Sequence, residues 1–230
     1  MTAAEQPPTS GVDSLRAIWA AGGQPQPPVP WHRRLTGRQV GAGVGALSAV
    51  ALLVLGLVAI DGEVEQRKVA LPAEFAGLSR VTEDQELARL RAGYETQNGR
   101  RYVPRSIEVA AYGQPGATGL GEAELLAVAM NGSVPDAAQA ATRMLGGRSP
   151  DGAGTLADGT AVTGLRTFEP GPLGGALACA TMAAGDRELP VCAWADGSTL
   201  GSLTDGTATL TLDELASRTR ELRARSEAPR

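Results

Sequence analysis

The chain has 230 residues, is 43% hydrophobic but only 3% aromatic, and carries 21 Lys or Arg against 25 Asp or Glu, a formal net charge of −4. This mild acidity argues against a basic surface for nucleic acid, and the few aromatics argue against the stacking platforms of a carbohydrate cleft. The only histidine, His32, lies near the start, so residues 61–230 contain no imidazole base and no histidine metal cluster.

Residues 1–39 read as a disordered tail whose proline- and glycine-rich composition cannot bury enough apolar area to offset chain entropy. Within it, Leu15, Ile18 and Trp19 are spaced for one short amphipathic turn. Residues 40–60 then form a run without a charge. As a helix this run is a little over ~30 Å long, the thickness of a bilayer's hydrocarbon core, and it reads as a transmembrane helix. Arg33, Arg34 and Arg38 precede it, whereas Asp61, Glu63 and Glu65 follow. By the positive-inside rule the N-terminus is cytoplasmic and the rest is extracellular, the chain crossing the cell membrane once. Gly41 and Gly45 make a G-x-x-x-G face on which two such helices would form a homodimer in the lipid bilayer.

Residues 61–80 read as a juxtamembrane linker and 81–230 as an extracytoplasmic α+β domain with an antiparallel sheet. Thr82 and Gln85 look like a capping box opening a helix through Arg91. Residues 106–112 alternate Ile107, Val109 and Ala111 and predict a strand; 121–130 and 135–145 read as helices. A Gly/Asp/Ser-rich loop over 147–159 precedes a strand at 161–168, and two more strands follow around the cysteines. Leu200 and Leu203 mark another short strand, with Gly201 as a bulge or a point of close approach. Thr211 with Glu214 caps a last helix, whose Leu212, Leu215, Thr219 and Leu222 line one face.

Cys179 and Cys192 are the only cysteines, and the topology above puts both where disulfides persist. Between them the turn candidate is Gly185–Asp186. A two-residue hairpin loop there sets Ala184 opposite Arg187, Thr181 opposite Pro190 and Cys179 opposite Cys192. Pro190 then occupies a non-hydrogen-bonded site, where its missing N–H costs nothing, and the cysteines occupy another. A structural disulfide follows, worth ~3 kcal/mol in the chain-entropy model. The same register puts Leu177, the cystine and Trp194 on one face; Trp194 reads first as core, and with Asp196 it is also the candidate binding or motif surface.

The segments 171–179 and 191–201 resemble a signature of uncharacterised actinobacterial, mainly streptomycete, single-pass membrane proteins, written G-G-x-x-x-C…C-x-W-x-D. Gly174, Gly175, Cys179, Cys192, Trp194, Asp196 and Gly201 carry the match. The resemblance implies one span and an exported domain with a disulfide, and it implies no chemistry.

Remaining chemistry is sparse. The acid pairs Glu122 and Glu124, Asp186 and Glu188, and Asp196 and Asp205 read as helix starts or turns rather than as a glycosidase pair. Asp151, Asp158, Asp196 and Asp205 sit in turns but lack the D-x-D-x-D-G spacing of a calcium loop. The expectation is a membrane-anchored extracytoplasmic binding, sensing or scaffolding domain with an envelope partner. It is expected not to be an enzyme, to use no cofactor and to bind no nucleic acid. The alternative is a cell-envelope hydrolase working with carboxylates alone.

Overall fold

The computed structural model describes residues 68–98, 102, 104, 106–146, 154–156 and 159–228. Strands β1 (Lys68–Val69), β2 (Glu74–Phe75) and β3 (Leu78–Arg80) lead into helix α1 (Gln85–Asn98). Then follow β4 (Ser106–Gly113), β5 (Ala123–Asn131), α2 (Ala137–Met144), β6 (Gly154–Thr155) and β7 (Ala161–Phe168). The chain continues through β8 (Ala176–Ala184), β9 (Arg187–Ala195), β10 (Thr199–Asp205), α3 (Leu212–Ser226) and β11 (Glu227–Ala228).

Nine strands make one antiparallel sheet in the order β2-β3-β4-β5-β10-β9-β8-β7-β6, and β1 pairs with β11 in a separate ribbon. Alternation along the strands sends side chains to two buried faces. On one face Ala110, Leu125, Cys179, Trp194 and Leu203 pack under α3 through Leu215, Ala216 and Leu222. On the other, α1 covers β4 and β5 through Leu87, Leu90 and Tyr94, while α2 covers β8 and β9 through Ala140 and Ala141. Ala178, Ala180 and Ala193, all small, let α2 lie close to the sheet.

The hairpin of β8 and β9 has the expected register: Ala184 faces Arg187, Thr181 faces Pro190 and Cys179 faces Cys192. Cys179 and Cys192 form a disulfide across a Cα separation of 4.0 Å. The strands at 106–113 and 161–168 and the last helix, with its Thr211–Glu214 capping box, also lie where the pattern puts them.

Other expectations are corrected. Residues 121–130, read as a helix, fall mostly in β5, a strand paired on both sides and covered on both faces, so its run of Ala and Leu shows no period of two. The first helix is capped by Asp84, whose Oδ1 accepts from the amides of Glu86 and Leu87, rather than by a box from Thr82. Residues 68–80, read as a linker, supply β1, β2 and β3.

The fold class of a single transmembrane helix followed by an α+β domain is corrected too. No helix among the described residues is long and apolar enough to cross a membrane. The longest, α3, has 15 residues, about 22 Å at ~1.5 Å per residue against the ~30 Å of a hydrocarbon core. It also exposes Asp213, Glu214 and Glu221 opposite its buried stripe. The expected span over 40–60, with Gly41 and Gly45, and the tail over 1–39 lie outside the described residues. The architecture is a nine-stranded antiparallel sheet between helices, with a disulfide-linked hairpin. Single-pass topology, a cytoplasmic N-terminus and an extracellular domain are not carried further.

Candidate functional site

The most concentrated chemistry in the described residues is a buried cluster where the end of α3 meets the β9–β10 turn. Asp196 opens that turn, its Oδ1 accepting from the amides of Ser198 and Thr199, each at 2.7 Å, and from the Ser198 hydroxyl at 3.1 Å. Arg223, 1% exposed, reaches in from α3. Its Nη2 donates to Asp196 Oδ2 at 2.7 Å, its Nη1 to the Gly174 carbonyl at 2.6 Å and its Nε to Glu227 Oε1 at 3.1 Å. Glu227 Oε1 also accepts from Trp194 Nε1 at 2.7 Å and from the Thr199 hydroxyl at 2.8 Å.

Burial alone would raise the Asp196 carboxyl, but the Ser198 and Thr199 amides and the Arg223 guanidinium outweigh it and hold it below the ordinary carboxylate value. Every donor of Arg223 named above is spent on a partner inside the fold, so the cluster is a clasp that fixes α3 and β11 to the sheet.

Trp194, 1% exposed, and Asp196 therefore stand together in this clasp, beside the buried cystine. The glycines of the same segments have steric reasons. Gly175 adopts φ +83°, and a Cβ there would run into the carbonyl of Ala195. Gly201 pairs across the strands with Trp194, whose indole occupies the space a Cβ would need. Gly174, at φ +67°, turns its carbonyl to Arg223.

Three of the other acids singled out by sequence accept hydrogen bonds from nearby groups. Glu122 accepts from the Thr118 amide at 2.7 Å, and Glu124 accepts from the Gln114 side chain. Asp205 accepts from the amides of Thr207, Thr209 and Leu210, each at 2.8 Å. Asp186 lies in the hairpin turn, and Asp151 and Asp158 lie outside the described residues. Among the described residues no three His, Cys, Asp or Glu side chains are placed to hold a metal ion. No paired-carboxylate hydrolase site is built from these acids, and that alternative is withdrawn.

A second feature has a different character. On the face opposite α3 lies a cavity between residues of α1, α2 and the sheet, lined by Tyr94, Met144, Leu145, Leu156, Val162, Met182, Val191, Ser202 and Thr204. Its volume open to the centre of a water molecule is about 20 Å³, room for one water. Met144 and Leu156, both half-buried, stand at its outer side, and Ser202 and Thr204 form its floor on the central strand.

Sequence reasoning missed Arg223, Glu227, Ser202 and Thr204. Arg223 had a signal: it falls four residues after Thr219, on the apolar stripe of α3, where an unpaired charge would be costly.

No family model, curated protein or solved structure matches the chain. With no long apolar helix among the described residues either, the resemblance to an actinobacterial single-pass family has no support. Each of its signature residues has a neighbour inside the domain: Gly174 and Asp196 meet Arg223, Gly175 meets the Ala195 carbonyl, Gly201 meets Trp194, and the two cysteines bond to each other.

Proposed function

We propose that the described domain is a non-catalytic binding domain that holds a small, mostly apolar guest between α1, α2 and the sheet. The observation that carries this reading is the make-up of the inter-helix cavity: seven apolar or aromatic side chains and two hydroxyls, with no carboxylate and no cation among them. Such a lining shelters a guest and gives it no acid, base or electrophile beyond a phenol. The buried charges Arg223, Asp196 and Glu227 are engaged with one another on the opposite face.

With room for about one water the cavity is smaller than an aromatic ring, so a guest enters by displacing the side chains at the mouth. Met144 and Met182 suit this, because an unbranched thioether changes rotamer at little cost.

Incubation of the full chain with toluene tests the reading. Melting temperature should rise with toluene concentration as linkage requires, and toluene should be recovered unchanged. A melting temperature insensitive to toluene up to saturation would refute binding, and time-dependent conversion of the guest would refute the non-catalytic part.

A further inference from the structure

Ser202 and Thr204 are 5% and 3% exposed, on the central strand of the sheet, where alternation with Leu203 calls for aliphatic side chains. Both line the inter-helix cavity, and neither hydroxyl has a hydrogen-bond partner among the described residues. Neither oxygen is sealed off, since Arg91 Nε is the one buried side-chain N or O among the described residues without a partner, so both open onto the space of the cavity, where an apolar group of the same shape would pack as well. Valine at 204 would fit β10 at least as well as threonine, since both are β-branched. The two hydroxyls are thus out of place for packing and well placed for recognition, side by side on the floor of an otherwise apolar cavity.

From this we infer that the cavity selects guests that carry one hydroxyl or carbonyl at the buried end of a compact apolar body, with Ser202 and Thr204 as the specificity-determining residues. Each hydroxyl can donate or accept, so an alcohol or a carbonyl is served equally. A charged end group is rejected, because nothing in the lining neutralises a charge taken out of water. The inference rests on the binding reading above.

The test compares two guests of nearly the same shape, benzyl alcohol and toluene, on the full chain and on Ser202→Ala and Thr204→Val variants. Affinities are read by chemical-shift titration of the Met144 and Met182 methyl groups. Benzyl alcohol should bind the unaltered chain about tenfold more tightly than toluene, one good hydrogen bond's worth. Each variant should lose about three- to tenfold for benzyl alcohol and change by less than about twofold for toluene. Thr204→Val keeps shape and folding, so its toluene affinity shows whether the cavity is intact. If toluene binds and both variants leave the preference for benzyl alcohol unchanged, the hydroxyls are not the selectors, although the binding reading survives. If neither guest moves the methionine resonances, both readings fail. An ordered water alone on Ser202 and Thr204, in a crystal soaked to saturation with benzyl alcohol, would also overturn the inference.

Discussion

Replacing Arg223 by methionine should uncouple α3 from the sheet, and the size of the effect can be reasoned from the clasp. Methionine keeps the aliphatic stem, so little apolar contact is lost and the change reports on the guanidinium. Three acceptors lose their donor: Gly174 O, Asp196 Oδ2 and Glu227 Oε1. Breaking a buried pair from one side costs ~3–5 kcal/mol, because a charge is left behind uncompensated. The lower end applies here, since Glu227 keeps the Trp194 and Thr199 donors and Asp196 keeps two backbone amides. At ~2–4 °C per kcal/mol for a domain of this size, the melting temperature should fall by roughly 6–12 °C. Urea titration followed by tryptophan fluorescence should give the same loss with an unchanged denaturant slope. Adding Glu227→Gln to Arg223→Met should recover ~1–3 kcal/mol by removing the orphaned charge, an interaction that only a double-mutant cycle isolates. The reasoning is refuted if Arg223→Met costs under ~1 kcal/mol, or if Glu227→Gln makes the double variant still less stable by its own single-variant cost.

Two further outcomes follow from the same face of the sheet. Converting both Cys179 and Cys192 to alanine should lower stability by ~2–5 kcal/mol in a urea titration while leaving the far-ultraviolet spectrum native, because turn and register persist without the bond; an unchanged urea midpoint would show that the cystine does not support folding. Asp196 is held below the ordinary carboxylate value, so in acid the unfolded chain binds more protons than the folded one. Its contribution is complete above the unfolded value of ~4 and is lost as pH falls through the lower folded value. Stability against pH between about 2 and 5 should therefore fall less steeply in Asp196→Asn than in the unaltered chain, and parallel curves would exclude Asp196 as a source of the acid sensitivity.

How much could be read from sequence depended on whether a residue's partner lay nearby in the chain. The β8–β9 hairpin was legible because a Gly–Asp turn, a proline that must avoid a hydrogen-bonded site and two lone cysteines all demand one register. The α3 capping box was legible because both its partners sit within three residues. β5 was not, since Ala, Glu, Leu and Met favour a helix locally and only the pairing with β4 and β10 makes the segment extended. Asp84 was passed over as a cap because Thr82 and Gln85 give an equally good local pattern, whereas Asp84 also accepts from Leu120 at 3.1 Å, a contact from a distant segment. The inter-helix cavity was invisible for the same reason, its lining being drawn from two helices and several strands that are far apart in sequence.

The cystine segments show why a dense motif is weak evidence for a functional surface. Gly174, Gly175, Cys179, Cys192, Trp194, Asp196 and Gly201 look like a site because uncommon residue types recur at fixed spacing. In the fold each answers to a neighbour within the domain: Gly174 and Asp196 to Arg223, Gly175 to the carbonyl of Ala195, Gly201 and Trp194 to each other, and the cysteines to one another. Trp194 and Arg223 meet through Glu227, so the strand segments and the end of α3 constrain each other although they are far apart in sequence. Residues bound this tightly by internal geometry have few polar atoms left for a ligand. Ser202 and Thr204 are inconspicuous in sequence, yet they retain unused hydrogen-bonding capacity in a buried place. The proposed binding is therefore placed on the face of β10 that Ser202 and Thr204 share, opposite the clasp that ties α3 and β11 to the sheet.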